Sequence, residues 1–128
     1  MALVVPNVGE AVMLALILTP NLTLKLYTNN ITPGETDTDS TYTEASGSGY
    51  LAKALVFADW TITPGAPSEA AAPQQTFTFS GALGAVYGYF VIRASDGVLL
   101  WAERLTTAPF TVANSGDQIK ITPRFSLD

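Results

Sequence analysis

Short runs of alternating apolar and polar residues, separated by turns that contain glycine or proline, restrict the fold of this chain more than any other feature. In Leu22–Tyr27 every second residue is a leucine, which is the period of a strand with one buried face. Comparable runs recur at Thr76–Ser80, Val86–Arg93 and Val98–Leu105. Short strands at this spacing predict an all-β protein, a jelly-roll-like β-sandwich of about seven or eight strands.

Two turn sequences predict how strands in the second half are connected. Asp96-Gly97 lies between two apolar runs, which predicts a β-hairpin closed by a type I′ turn. The turn Asn114–Asp117 lies between Phe110–Val112 and Gln118–Pro123, and this arrangement predicts a second hairpin.

The N-terminal segment, residues 1–20, departs from the alternation. We expect one β domain over residues 1–128, in which this segment is an apolar arm or helix and residues 21–128 form the sandwich. Asn7–Leu18 predicts a helix with Asn7 as N-cap and Glu10 completing a capping box. Because the apolar residues are continuous, a short buried strand is the alternative. The side chains expected at an interface with another protein are Val12, Leu14, Leu16 and Leu18.

The chain carries unusually little charge. Charged residues make up 13% of it, hydrophobic residues 48%, and the net charge is −5, whereas soluble domains contain about 25% charged residues. A largely uncharged surface suits a membrane or a protein assembly. The longest apolar run, Ala11–Leu18, has eight residues, but a spanning helix needs about 20, so we expect no membrane partner. Six scattered basic residues also argue against nucleic acid, which leaves a protein assembly.

The sequence contains few residues suited to catalysis. It has no histidine and no cysteine, so His-dependent and thiol nucleophile sites are excluded. Residues 28–49 form a polar segment, and a loop of this length is usually functional or poorly ordered. Its Asp37, Asp39 and Glu44 are the candidates for a calcium site or a glycosidase-type carboxylate pair, but we favour a solvated acidic turn as their explanation. We therefore predict a non-enzymatic protein with no catalytic residue, metal or cofactor.

Four stretches of the chain resemble small structural proteins of tailed bacteriophages. They are Thr23–Pro33, Thr43–Leu55, Tyr87–Leu105 (YGYFVIRASDGVLLWAERL) and Gly116–Leu127. Within that group the chain is most similar to capsid decoration (cement) proteins. The resemblance implies a compact β protein of the virion that attaches to the outer capsid surface and stabilises it. The implied partners are the major capsid protein and further copies of the chain, in a homotrimer.

A different function is left open by the aromatic residues. Trp60 borders a proline-rich loop and could form a platform for a sugar ring, whereas Trp101 lies in an apolar run and is expected in the core. The alternative is therefore a tail- or fibre-associated adhesin with a carbohydrate-binding β-sandwich.

Overall fold

The computed structural model describes residues 1–127, and within them the chain forms one α-helix and eleven strands, all paired antiparallel. The elements are α1 (Asn7–Leu18), β1 (Leu22–Tyr27), β2 (Lys53–Leu55), β3 (Thr61–Thr63), β4 (Ser68–Ala71), β5 (Gln75–Thr78), β6 (Gly84–Val86), β7 (Gly88–Arg93), β8 (Leu99–Arg104), β9 (Phe110–Val112), β10 (Gln118–Ile121) and β11 (Arg124–Leu127). The prediction of an all-β sandwich with one short N-terminal helix is confirmed. More strands are present than expected because four of them have three residues, too few for an alternation to be recognised.

The largest sheet has four strands in the order β2-β1-β7-β8. Its two central strands, β1 and β7, pair from Leu22 with Arg93 to Tyr27 with Gly88. The leucines of β1 point to one face, where the three smaller sheets, β11-β4-β3, β10-β5 and β6-β9, complete the main core. Core side chains from both layers include Leu22, Leu24, Leu26, Val91, Ala70, Phe77, Val86, Val112 and Ile119.

The polar segment of residues 28–49 covers the opposite face of the large sheet. The ring of Tyr42 stacks on Phe90 of β7, with centroids 5.0 Å apart and planes 17° apart. The side chain of Asn29 donates to the Thr41 carbonyl and accepts from the Thr43 N–H, each over 2.9 Å. These two hydrogen bonds connect Asn29 with residues 41–43 of the same segment. The segment thereby covers a second, smaller hydrophobic core.

Strand β7 begins at a glycine because an aromatic ring occupies the space beside it. A Cβ at Gly88 would lie 2.5 Å from Cε1 of Tyr27 and 2.6 Å from its Oη, and it would also overlap the carbonyl oxygen of Glu103. The Tyr27 hydroxyl donates to the Ile31 carbonyl over 3.2 Å. Because Gly88 has no side chain, the Tyr27 ring fits beside it and connects the large sheet with the segment of residues 28–49.

The predicted hairpin between β7 and β8 is confirmed, but its type I′ turn is wrong. Positive φ occurs at Gly97 (74°) and not at Asp96. The Gly97 N–H donates to the Arg93 carbonyl and the Arg93 N–H to that of Val98, so the loop has four residues instead of two. The carboxylate of Asp96 accepts two hydrogen bonds from the Arg93 guanidinium, with donor–acceptor distances of 2.6 and 3.0 Å.

The second predicted hairpin does not form. Strand β9 pairs with β6, and β10 pairs with β5, so the turn Asn114–Asp117 carries the chain from one small sheet to another. Pairing with β5 places Ile119 opposite Phe77, and both side chains are buried in the main core. Burial of apolar area against the core thus outweighs the local preference for a hairpin.

Candidate interaction surface

Helix α1 presents apolar side chains to solvent and turns its charged residue inward. Val8, Val12 and Leu16 follow each other at four-residue spacing, which places them on one face, and they are 70%, 59% and 68% exposed. Met13 lies beside them and is also exposed. We call these four residues the outer helix face. A surface helix usually has the reverse arrangement, with polar residues toward solvent.

The charged residue of α1, Glu10, is buried against the sheet. Its carboxylate accepts a 2.7 Å hydrogen bond from the Ser68 hydroxyl in β4, and both residues are buried. Asn7 is the first helical residue, and the N-cap is Pro6, which has no capping side-chain hydrogen bond. The predicted cap and capping box are therefore wrong: Glu10 bonds to another element of the fold instead of its own helix start.

Two of the four residues predicted at an interface lie instead on the buried side of α1. Leu14 and Leu18 are fully buried in the main core, because the helix packs on β3, β4 and β11. These two residues cannot contact another protein while the fold is intact. Val12 and Leu16 are exposed on the opposite side, and their contact with a partner stays a prediction.

The segment before α1 is largely exposed to solvent. Met1, Leu3 and Val4 are almost fully exposed, and Pro6 has an extended backbone, with φ −63° and ψ 156°. Within residues 1–127 no hydrogen bond joins Met1–Val5 to the rest of the chain. We call Met1–Val5 the N-terminal arm. Together with the outer helix face it forms an apolar surface without a charged side chain.

The predicted sugar platform at Trp60 is wrong. Trp60 is 8% exposed and belongs to the main core, where its ring meets Trp101 edge to face at a centroid distance of 6.2 Å. Trp101 stacks on Phe125 at 4.9 Å, as expected for a residue that packs against the core. Neither ring face of Trp60 is open for stacking on a sugar.

The candidate calcium ligands do not converge. The carboxylate of Asp37 accepts a 2.7 Å hydrogen bond from the Tyr42 hydroxyl, while that of Glu44 lies 3.3 Å from Nζ of Lys25. Asp39 begins a separate 3-10 turn. Among residues 1–127, no three His, Cys, Asp or Glu side chains are grouped so that they could hold a metal ion.

Carboxylates of this protein serve instead as acceptors for tyrosine hydroxyls. The pairs are Tyr42 with Asp37 (2.7 Å), Tyr50 with Glu44 (2.9 Å) and Tyr89 with Glu103 (2.9 Å). Burial is the main cause that raises the pKa of each phenol above its ordinary value of 10.0, and the neighbouring carboxylate raises it further.

These raised pKa values predict a loss of stability in alkaline solution. The phenols of Tyr42, Tyr50 and Tyr89 stay protonated in the folded protein, whereas in the unfolded chain they ionise near pH 10. Since the unfolded state then binds fewer protons, the free energy of unfolding falls as pH rises through about 10. Urea unfolding at a series of pH values measures the slope, which Tyr89→Phe should reduce. A free energy of unfolding that stays level between about pH 9 and 11 would contradict the prediction.

The comparisons with known proteins find no match. No family model matches the chain, and no curated protein or solved structure matches it. For residues 1–127 the structure also contains no helix with the length and hydropathy needed to cross a membrane.

Proposed function

We propose that this protein is a non-enzymatic structural component of a tailed-phage virion that attaches to the outside of the capsid and stabilises it. The observation that supports this proposal is the outer helix face, in which the exposed side of α1 is apolar while Glu10 points inward. In a monomer the outward apolar side chains of α1 stay in contact with water, whereas in a subunit of an assembly they are buried on contact, which is favourable. The partner in this proposal is the major capsid protein, and the protein acts at the capsid surface as a homotrimer.

Attachment through the outer helix face would stabilise the capsid by mass action. Full burial of one valine, leucine or methionine side chain contributes about 1.5–3 kcal/mol, and the face offers four such residues. A protein that binds the assembled shell but not free capsid subunits shifts the equilibrium toward the shell, by about 4 kcal/mol per site at 1,000-fold saturation. No reaction has to be catalysed for this effect.

The proposal is tested with a doubly charged variant of the outer helix face. We expect Val12→Lys with Leu16→Lys to weaken binding to purified empty capsids more than about 100-fold, because about 3 kcal/mol of apolar burial is lost. Both residues are exposed, so thermal unfolding should change little. Cosedimentation with capsids from the phage that encodes the chain measures the binding.

The matched control carries the same two charges elsewhere on the surface. Leu51 and Val98 are also exposed apolar residues, and the variant Leu51→Lys with Val98→Lys should bind capsids like the wild type. Equal binding by the helix variant and the wild type would remove the outer helix face as the attachment surface. Failure of the wild type to cosediment would contradict capsid attachment itself.

A further inference from the structure

One edge of the large sheet has unpaired backbone groups. In β7 the Arg93 N–H donates to the Val98 carbonyl across the hairpin, so the backbone groups of Arg93 point toward β8. Backbone groups of successive residues in an antiparallel strand point to opposite sides. Val91 and Tyr89 therefore also direct their N–H and C=O groups to β8. The register shift between Val91 and Ile92 adds Leu100 to β8 and leaves β7 regular, since β7 pairs with β1 without interruption.

The residues of β8 that lie opposite Val91 and Tyr89 show which backbone N–H and C=O groups of β8 have no partner within the described residues. Trp101 lies opposite Val91, and Glu103 lies opposite Tyr89, so Trp101 and Glu103 bond to β7. By the same alternation, Ala102 and Arg104 point their N–H and C=O groups away from β7. Strand β8 is the last strand of its sheet within the described residues, so these groups form a free edge.

A groove runs beside this free edge. It has a volume of about 410 Å³ and is lined by Leu99–Ala102 on one side and by Pro33–Glu35, Asp37 and Tyr42 on the other. The Arg104 side chain donates to the Ile31 carbonyl over 2.9 Å, which anchors the segment that forms the far wall. The free edge therefore lies at the side of a walled groove, where an added strand would have contacts on two sides.

We propose that the N-terminal arm of a second copy of this chain adds to β8 as a further strand of the large sheet. The arm is apolar, largely exposed and without hydrogen bonds to its own body within the described residues, and Pro6, which follows it, has an extended backbone. The arm therefore has the free backbone groups that could pair with the edge. Five extended residues span about 17 Å, and β8 with six residues spans about 20 Å. Residues 1–5 in an extended conformation are thus long enough to pair along most of β8.

Charge also favours the arm as the occupant. The chain carries no charged side chain before Glu10, whereas the groove wall contains Glu35 and Asp37, which would repel an acidic strand. The contact joins different surfaces of the two copies, and a repeated contact of this kind closes into a ring or continues as a filament. The inference concerns contacts between copies and does not depend on capsid attachment.

The absence of cysteine from the sequence permits a direct test. One protein sample carries Leu3→Cys or Val4→Cys in the arm, and a second, size-tagged sample carries Ala102→Cys at the edge. Residues directly opposite on paired strands have Cα atoms about 4.5–5.5 Å apart, which suits a disulfide. Two arm variants are needed because neighbouring residues point to opposite faces of a strand.

After mixing and mild oxidation, we expect one arm variant to form a tagged–untagged disulfide with Ala102→Cys. The control partner is Thr61→Cys, an exposed residue of β3 at the end of a different sheet, and it should yield about tenfold less of the product. Each chain has one cysteine, so every such link joins two copies. If neither arm variant links to Ala102→Cys above the control, the inference is wrong, and the edge is free or takes another protein.

A second measurement uses the molar mass by light scattering after gel filtration. Ala102→Pro removes an outward N–H, and deletion of residues 2–4 removes most of the arm. Both variants should elute as monomers at concentrations at which the wild type is oligomeric. The deletion should leave the thermal midpoint of the monomer unchanged, because residues 2–4 make no hydrogen bond to the body. A monomeric wild type at all concentrations, or an oligomer that survives the deletion, would overturn the inference.

Discussion

Gly88→Ala is expected to destabilise the protein by about 3 kcal/mol or more, since overpacking in a well-packed interior costs this much. The added methyl group would overlap the carbonyl oxygen of Glu103 in the neighbouring strand and lie 2.5 Å from the Tyr27 ring. The ring cannot move freely because its hydroxyl is bonded to the Ile31 carbonyl. Relief therefore requires a shift of β8 or detachment of the covering segment. Urea unfolding, followed by circular dichroism, measures the change.

Gly81→Ala is the matched control for that measurement. Within residues 1–127, a Cβ at Gly81 would have no atom of a non-adjacent residue within 4 Å, and the backbone of Gly81 is not in the left-handed region. We expect its free energy of unfolding to stay within about 0.5 kcal/mol of the wild type. If Gly88→Ala were as stable as Gly81→Ala, the close packing of Tyr27 across β7 would be incorrect.

Leu14→Ala should also destabilise the protein strongly, with a loss of about 3 kcal/mol, because it leaves a cavity in the main core. Leu14 is fully buried between α1 and the sheet formed by β3, β4 and β11. The measurement is the midpoint of urea unfolding at an unchanged slope, which separates a change in stability from a change in cooperativity.

Leu16→Ala, two residues further along the same helix, is the control for Leu14→Ala, because Leu16 lies on the exposed side of α1. Leu16 is 68% exposed, so its truncation should change the stability of the monomer by less than about 0.5 kcal/mol. Similar losses for Leu14→Ala and Leu16→Ala would mean that the helix is not oriented with Leu14 inward.

The fold class and the position of the helix could be predicted because they depend on local patterns. The alternation in Leu22–Tyr27 reports a strand with one buried face, and it forms β1 with those bounds. The segment Asn7–Leu18, which contains the apolar run Ala11–Leu18, forms a helix over the predicted residues. The partner of each strand could not be predicted in the same way. For β9 and β10, the partner is decided by the core that Ile119 and Phe77 share, which lies outside the local sequence.

The candidate interface could be predicted only in part for a related reason. A helix that is apolar on all sides has no hydrophobic stripe to indicate which side is buried. Val12, Leu14, Leu16 and Leu18 are therefore equivalent in the sequence, although they lie on opposite sides of α1. The position of Glu10 marks the buried side of the helix, since its side chain faces Ser68. A charged residue is normally assigned to the solvent side, so the sequence alone points to the wrong side. Trp60 is expected at the surface for a different reason, its position beside a proline-rich loop, but it is buried in the main core.

The pairing of β1 with β7 determines when the protein can fold during its synthesis. Both strands that flank β1, β2 and β7, come later in the chain, so the ribosome releases the leucine-rich β1 long before its partners exist. At about 5–20 residues per second, this interval lasts several seconds, and exposed apolar strands are prone to aggregation during such delays. The β7–β8 hairpin is local and can form without β1. We expect it to form first and β1 to dock on it afterwards, so that the first half of the chain completes the large sheet only after β7 has been synthesised.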